Sequence, residues 1–180
     1  MAHIQQKEFC LSLRNRVPKY FFNTRVLDCG SLDINGSNKD LFVNCHYTGI
    51  DIAHGNNVDI VSKIHEFNAR DGLYDTICST ECFEHDKFYN LSLNNMVRML
   101  RSGGLLFFSC ATTGRPEHGT KATTPFNSPF TSSSESWEDY YKNLTEEDIR
   151  DVLDIDGIFS AYQFSVNLEI KDLYFWGIKK

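Results

Sequence analysis

Two acidic residues and a glycine-containing loop are the features of this sequence whose types and spacing best suit ligand binding. Asp28 ends a short apolar run and is followed by Gly30, Ser31 and Gly36, and Asp51 ends a second apolar run. A loop that joins a strand to a helix directs backbone N–H groups at a ligand in the adjacent crevice. An acid at the end of the second strand is well placed to accept hydrogen bonds from ribose hydroxyls. The pattern therefore predicts a binding site for a nucleoside cofactor.

Strand-like and helix-like segments alternate through the first two-thirds of the chain, and these elements must position the two acids. Periodicity predicts helices over residues 35–44 and 87–101, after an N-terminal helical stretch that contains Cys10. Short apolar or β-branched runs predict five strands, at residues 26–29, 47–52, 58–61, 74–80 and 105–110. Strands that are joined by helical crossovers run parallel, so the sequence predicts an α/β fold with a doubly wound sheet.

After residue 111 the alternation of parallel strands and helices stops. Thr145, with Asp148 three residues later, predicts a helix N-terminus. Strands are predicted at 159–167 and 173–179, and their connection is too short for a helical crossover, so they must form an antiparallel hairpin. Residues 112–136 are rich in Thr, Ser, Gly and Pro and show no period, which predicts a substrate-side loop or lid. Residues 1–180 are predicted to form a single domain.

A second group of polar residues follows the fifth predicted strand. Arg115, Glu117 and His118 lie in a loop that leaves the strand at its C-terminal end, where open α/β sheets bind their ligands. His118 is a candidate general base, Glu117 a candidate partner for it or for a cationic substrate, and Arg115 a candidate clamp for an anionic group. Tyr140 either packs the lid onto the domain or lines the substrate pocket. The alternative is a flexible loop whose polar residues are only solvated.

Composition argues against several classes of function. The net charge of −6 is unfavourable for broad electrostatic binding of nucleic acid. No run of about 18 apolar residues is present, so no membrane-spanning helix is expected. The N-terminus has no signal-peptide apolar region. The six cysteines form no C-x-x-C pair and have no His at zinc-ligand spacing, which predicts buried free thiols, no metal site and a cytoplasmic protein.

Together these motifs resemble those of the class I S-adenosylmethionine-dependent methyltransferases, specifically the small type-11-like members. The resemblance covers roughly residues 24–180 and rests on five features. They are Asp28-Cys29-Gly30-Ser31 with Gly36, Gly49-Ile50-Asp51, Ser79-Thr80-Glu81-Cys82-Phe83-Glu84-His85, residues 96–101 running into Ser102-Gly103-Gly104, and the terminal hairpin. It implies a Rossmann-like, seven-stranded, mostly parallel sheet with an antiparallel C-terminal hairpin strand, and S-adenosyl-L-methionine as the cofactor.

The resemblance also implies roles for particular residues. Asp28 would orient the ammonium group of the cofactor, Asp51 would bind the ribose hydroxyls, and Ile52 would pack against adenine. Glu81 and Cys82 would line the methyl-donor side. The residues implied to bind the cofactor are Asp28, Gly30, Ser31, Gly36, Asp51, Ile52, Ile64, Glu81 and Cys82. His85, at the start of the next helix, is the second candidate base after His118.

The implied activity is methyl transfer to an O or N atom of a small-molecule or sugar-like acceptor, in a site that is open or completed by a second subunit of a homodimer. Two departures keep alternatives open. Leu32 stands where the first loop of the family usually has a second glycine, and Lys63 stands where the family often has an Asp that accepts from the adenine amino group. Both favour a non-catalytic cofactor-binding or scaffold protein. An NAD-dependent oxidoreductase fits less well, because residues 30–36 lack the G-x-G-x-x-G spacing.

Overall fold

A seven-stranded sheet forms the centre of the structure, a computed structural model that describes residues 3–180. The strands are β1 (Arg25–Cys29), β2 (His46–Asp51), β3 (Ile60–Val61), β4 (Tyr74–Thr80), β5 (Leu100–Ala111), β6 (Phe159–Asn167) and β7 (Asp172–Lys179). Their order across the sheet is β3-β2-β1-β4-β5-β7-β6. The first five pair in parallel, whereas β7 is antiparallel to both β5 and β6. The predicted α/β sheet with an antiparallel C-terminal hairpin is therefore confirmed.

Helices cover both faces of this sheet. They are α1 (Ile4–Arg16), α2 (Tyr89–Met99), α3 (Pro129–Ser132), α4 (Glu146–Val152) and α5 (Ile155–Ile158). The predicted start of α4 is confirmed, because the Thr145 hydroxyl accepts from the Asp148 N–H while the Asp148 carboxylate accepts from the Thr145 N–H. This reciprocal pair satisfies two N–H groups that a helix start otherwise leaves unbonded.

Alternation of side chains along the strands produces two separate cores. In β5, Leu106 and Phe108 pack on the side that α2, α4 and α5 cover, whereas Leu105 and Phe107 pack on the side that α1 covers. Successive side chains of a strand point to opposite faces, so a strand buried on both faces is apolar throughout. Each of these fully buried side chains contributes about 2 kcal/mol of hydrophobic stabilisation. The long apolar run of β5 therefore makes it a central strand.

The helix predicted over residues 35–44 is wrong. Only a short 3-10 turn, Lys39–Leu41, forms in this segment. Gly36 adopts φ 137°, and its N–H donates to the Asp33 carboxylate at 2.7 Å, while the Ser37 hydroxyl accepts from the Lys39 N–H. Local hydrogen bonds of Asp and Ser side chains compete with helix formation, and here they win. The connection from β1 to β2 is thus an open loop rather than a helix.

Other boundaries differ from the predictions by a few residues. The helix predicted over 87–101 spans Tyr89–Met99, the strand predicted over 58–61 is only Ile60–Val61, and β5 begins at Leu100. Residues 112–136, which we call the lid segment, are mostly irregular as predicted. They nevertheless contain a 3-10 turn, Pro125–Asn127, and the single turn of α3, each beginning at a proline.

Among residues 3–180, no helix combines the length and the apolar character needed to span a bilayer.

Candidate active site

A cavity opens at the carboxyl ends of β1, β2 and β4. This edge of an open α/β sheet is where ligands bind. The residues predicted to bind a cofactor all line this one cavity: Asp28, Gly30, Ser31, Gly36, Asp51, Ile52, Ile64, Glu81 and Cys82. His85 lines it as well. The roles assigned to these residues remain predictions.

The first loop approaches β4 so closely that only glycine fits at position 30. Gly30 has φ 77°, and a Cβ built there would lie 2.4 Å from the Cys82 Sγ. The Gly30 and Ser31 N–H groups both donate to the Ile50 carbonyl, at 2.9 and 3.1 Å, which ties the loop to β2. The Ser31 hydroxyl donates to the Asn57 carbonyl at 2.9 Å. At the floor of the cavity, backbone hydrogen bonds therefore hold the first loop against β2, and the loop packs closely against the residues after β4.

Asp28 presents a buried carboxylate to this cavity. It accepts a short hydrogen bond from the Tyr47 hydroxyl and a weaker one from the Cys78 thiol. Burial raises the pKa of the Asp28 carboxyl to about 6; these two hydrogen bonds lower it in part, and the charge of Asp51 adds to the increase. A cationic group bound next to Asp28 would reverse this shift because it favours the ionised form.

This pKa makes cofactor affinity depend on pH. In the predicted role of Asp28, the ammonium group of S-adenosylhomocysteine would favour the ionised carboxylate, so binding below pH 6 would have to release the proton that Asp28 carries in the free protein. We expect full affinity above pH 7 and a decrease of about tenfold per pH unit below pH 6. Calorimetric titrations from pH 5 to pH 8 measure this slope, and Asp28→Asn should flatten it by about one power of ten per unit. Equal slopes in the two proteins would contradict this role for Asp28.

Asp51 ends β2 with both carboxylate oxygens directed at the first loop. Oδ1 accepts from the Ile52 N–H at 2.7 Å and Oδ2 from the Leu32 N–H at 3.1 Å. Each oxygen keeps a second lone pair for a ligand hydroxyl. Burial raises the pKa of Asp51, and the two backbone hydrogen bonds oppose that shift. Leu32, at the position where the family usually has glycine, therefore helps to orient Asp51 through its backbone.

Lys63 lies outside the cavity. Its ammonium group pairs with Glu66 at 2.8 Å, and its side chain is 42% exposed. The neighbouring residues Ser62 and Ile64 line the cavity instead. The Asn95 side chain donates to the Ile64 carbonyl at 2.7 Å and holds this segment in place. The Lys63 ammonium group therefore does not face the cavity.

We expect Lys63→Ala to leave the affinity for S-adenosylhomocysteine within about twofold of wild type, because an exposed ion pair contributes at most about 1 kcal/mol to folding and nothing directly to the cavity. Glu66→Ala, which removes the partner, is the matched control and should behave identically. Calorimetry of both variants measures the effect. A tenfold loss in Lys63→Ala alone would show that the lysine contacts the ligand.

The lid segment forms part of the wall of the cavity that contains Asp28 and Asp51. The sequence predicted this segment only as a loop or lid on the substrate side. The cavity residues contributed here are Asn127, Ser128, Pro129, Phe130 and Thr131, with Trp137 just beyond the segment. Trp137 is buried and its ring packs against Phe88. Because the sequence of this segment has no hydrophobic periodicity, these contacts could not be predicted from it.

Glu84 and His85 lie buried beyond the end of β4, on the side of the cavity that faces the lid segment. Burial raises the pKa of Glu84 to about 8, and the charge of Glu81 adds to the effect. Burial lowers the pKa of His85 to about 3, with His118 contributing, so the imidazole is neutral at physiological pH. The neutral ring offers a nitrogen lone pair to a ligand, although so low a pKa makes it a weak proton acceptor in the unliganded protein.

His118 does not line the cavity, but its ring packs at 5.1 Å from that of His85. Arg115 is bound to Asp172 at 2.9 Å, which fastens the lid segment to β7. Glu117 accepts from the Thr120 hydroxyl, and Tyr140 is half-buried, with its pKa raised to about 12 by burial. The structure thus brings His118 to the cavity-lining His85, whereas Arg115, Glu117 and Tyr140 lie outside the cavity wall.

An ion-pair network next to the cavity was not predicted from the sequence. His3 Nε2 lies 2.7 Å from Asp172 Oδ2 and 3.6 Å from Glu81 Oε2. The Ser109 hydroxyl donates to Glu81 Oε1 at 2.7 Å, and Glu81 itself has φ 53°. The residues come from α1, β5, β7 and the end of β4, and no spacing in the sequence indicates that they meet.

Comparisons with known proteins agree with this architecture. Residues 27–108 match the family described as a methyltransferase domain. No curated protein matches the chain in sequence. The structure is similar to 1,6-didemethyltoxoflavin-N1-methyltransferase of Burkholderia thailandensis, solved with 1,6-didemethyltoxoflavin and S-adenosylhomocysteine, with a TM-score of 0.66, 14% identity and coverage of 97% of this chain and 78% of that one.

Two further solved structures are similar over about half of their own length. One is phosphoethanolamine N-methyltransferase 2 of Haemonchus contortus in complex with S-adenosyl-L-methionine, with a TM-score of 0.65, 14% identity and coverage of 96% of this chain and 52% of that one. The other is the CurJ carbon methyltransferase, with a TM-score of 0.65, 14% identity and coverage of 97% and 54%.

The matched segment and the shared fold agree with the resemblance to the class I S-adenosylmethionine-dependent methyltransferases that the motifs predicted. Two of these structural neighbours were solved with S-adenosylhomocysteine or S-adenosyl-L-methionine. The structural neighbours include both nitrogen and carbon methyltransferases, so the acceptor has to be inferred from the site itself.

Proposed function

We propose that this chain transfers the methyl group of S-adenosylmethionine to an oxygen or nitrogen atom of a small-molecule or sugar-like acceptor. One observation carries the proposal: a cavity with the strand-end carboxylates Asp28 and Asp51 also reaches the buried imidazole of His85. The carboxylates suit the ammonium and ribose groups of a nucleoside amino acid, and the imidazole suits an acceptor that must lose a proton.

The residues of the cavity fit the cofactor. Gly30 and its contact with Cys82 leave backbone, rather than a side chain, beside the ligand. Asp51 offers free lone pairs to two adjacent hydroxyls, and Ile52 and Ile64 offer apolar surface to a flat base. When bound, the cofactor supplies an electrophilic methyl group on a positively charged sulfur. The protein has to align an acceptor with that group and exclude competing water.

The cavity wall includes the imidazole of His85. Its ring is neutral, neither ring nitrogen has a hydrogen-bond partner among residues 3–180, and Glu84, the preceding residue, is also buried. Such groups suit an acceptor that loses a proton before or during methyl transfer, as a hydroxyl or an amine does. Two of the structural neighbours are N-methyltransferases.

An acceptor screen tests the proposal. Purified protein is incubated with labelled S-adenosylmethionine and panels of small hydroxylated and amino compounds, including sugars, and label transfer is measured. We expect turnover with at least one compound, and His85→Ala should lower it by about 100-fold or more. His46→Ala, an exposed histidine at the start of β2, is the control.

The alternative, a non-catalytic cofactor-binding or scaffold protein, predicts a different result in the same assay. It predicts tight binding of S-adenosylhomocysteine together with no label transfer to any acceptor class. Turnover that is equal in wild type and His85→Ala would instead retain the enzyme and remove His85 from the mechanism.

We further propose a reducing, cytoplasmic setting for this enzyme. All six cysteines are unpaired, and most are buried among apolar side chains. Free thiols persist where glutathione and thioredoxin keep them reduced. Assembly into a homodimer remains a prediction, and the net charge of −6 continues to favour a small acceptor over nucleic acid.

A further inference from the structure

Three potential ligands for a metal ion converge beside the cavity. Glu84 and His85 follow β4, and His118 comes from the lid segment. One donor atom from each residue lies within 4.8 Å of the others, and His118 Nε2 is 4.0 Å from Glu84 Oε1. Two imidazoles and one carboxylate form the donor set that first-row transition metals bind with open coordination positions.

The Glu84 carboxyl of this cluster has no hydrogen-bond partner within the described structure. The Glu84 side chain is fully buried, and within residues 3–180 neither of its oxygens has a hydrogen-bond partner. Buried carboxylates are otherwise paired, hydrogen-bonded or bound to metal. The backbone of Glu84 is fixed, because its carbonyl accepts from the Lys142 N–H at 2.9 Å. The Glu84 carboxyl is therefore held in a buried position without a hydrogen-bond partner among residues 3–180.

Each of the two histidines has a ring nitrogen whose lone pair is available to a metal ion. His118 Nδ1 lies 3.1 Å from the Pro116 carbonyl, so it donates there and leaves Nε2 with its lone pair towards Glu84. A backbone carbonyl on the second nitrogen is the usual arrangement for a metal-bound imidazole. His85 is buried, and within residues 3–180 both of its nitrogens lack partners.

The contact between the two loops is tight enough to hold the cluster together. Gly119 follows His118 with φ 67°, and a Cβ at this position would lie 2.6 Å from the His85 Cε1. The Tyr141 hydroxyl also donates to the Pro116 carbonyl, at 3.3 Å, and its ring packs against both imidazoles. The position of His118 is therefore supported on several sides.

The neighbouring group of His3, Glu81 and Asp172 differs in kind. Arg115 binds Asp172, Ser109 donates to Glu81, and His3 accepts from the Gln6 N–H through Nδ1. These carboxylates already have cationic or hydroxyl partners. Their arrangement is that of an ion-pair network that fastens α1 and the lid segment to the sheet.

We propose that Glu84, His85 and His118 bind one divalent transition-metal ion, such as Zn²⁺, at the acceptor end of the cavity. Three protein ligands leave at least one coordination position open. Resting on the proposed methyl transfer, the inference makes His85 a ligand of the ion instead of the proton acceptor. The open position then takes an acceptor oxygen, which loses its proton to water because the ion lowers its pKa. The oxygen then forms the bond to the methyl carbon, and the sulfur retains the electron pair of the bond that breaks.

Metal binding can be measured without the cofactor or an acceptor. Full-length protein is stripped with EDTA, dialysed, and titrated with ZnCl₂ by calorimetry and with CoCl₂ by visible absorption. We expect about one ion per chain, with the intense bands of low-coordinate cobalt. Glu84→Gln and His118→Ala should weaken Zn²⁺ binding by more than about 100-fold, since loss of a ligand exceeds the loss of an outer-shell partner. His46→Ala and His3→Ala should bind as wild type does.

Thermal unfolding separates a metal site from a merely structural cluster. Glu84→Gln keeps the side-chain shape and removes a buried carboxyl group that has no hydrogen-bond partner among residues 3–180, so the stripped variant should unfold at or above the wild-type temperature. Zn²⁺ should raise the Tm of wild type and leave that of Glu84→Gln unchanged.

The proposal is overturned if wild type binds no Zn²⁺ or Co²⁺, if Glu84→Gln binds as tightly as wild type, or if His3→Ala is the variant that loses binding. Calorimetry with S-adenosylhomocysteine on the same samples tests the proposed function separately. Cofactor binding without metal overturns only this inference, and metal binding without cofactor overturns only the methyltransferase function.

Discussion

Gly30→Ala should abolish detectable binding of S-adenosylhomocysteine and destabilise the protein. Two effects add at this position. The φ of 77° strains any residue that has a side chain, at about 1–2 kcal/mol. The new methyl group would also lie 2.4 Å from the Cys82 Sγ, so the first loop must move away from β4. A displaced loop no longer presents Asp28 and Asp51 to one ligand. Calorimetry and chemical denaturation measure the two effects.

Gly72→Ala is the matched control for this experiment. Gly72 has a similar φ of 64°, but its added Cβ would meet nothing closer than 3.5 Å, at the Arg101 backbone. It also lies in the turn before β4, away from the cavity. We expect Gly72→Ala to lose about 1 kcal/mol of stability, with unchanged cofactor affinity. If both variants bind the cofactor equally well, the close approach at Gly30 is not what shapes the site.

Asp51→Ala should lower the affinity for S-adenosylhomocysteine by about 100-fold or more. Two hydrogen bonds from ribose hydroxyls to a carboxylate contribute about 1.5–3 kcal/mol each, and every 1.4 kcal/mol is tenfold in affinity. The substitution also leaves the Leu32 and Ile52 N–H groups without the acceptor that now orients the loop. Calorimetric titration measures the loss directly.

Two variants separate these contributions. Asp51→Asn keeps an acceptor oxygen and the side-chain size, so it should bind more weakly than wild type and more tightly than Asp51→Ala. Asp40→Ala removes an exposed carboxylate of the same loop and controls for net charge. Affinity that falls equally in Asp40→Ala would indicate a general electrostatic effect rather than recognition of the ribose.

The two acids of the cavity could be predicted because strands define their positions. Asp51 ends β2 and Asp28 is the next-to-last residue of β1, and parallel strands bring their carboxyl ends to one edge. Two short segments of sequence were therefore enough to locate both acids. The antiparallel hairpin was equally accessible, since a five-residue connection cannot hold a crossover helix.

The rest depended on contacts that periodicity does not encode. The helix expected over residues 35–44 is replaced by a loop because Asp33 and Ser37 bond locally to the backbone. Phe130 reaches the cavity from an irregular segment, and His118 reaches His85 only through the close approach at Gly119. The resemblance puts Lys63 at the position where the family often has an Asp that accepts from adenine, whereas in the structure its ammonium group pairs with Glu66.

The most direct test of the account is calorimetric titration of the purified protein with S-adenosylmethionine and S-adenosylhomocysteine, with NADH as the control ligand. The account predicts micromolar binding of the first two at one site per chain, loss of that binding in Asp51→Ala, and no heat with NADH. Binding of NADH alone, or silence with all three ligands from a folded protein, would contradict it.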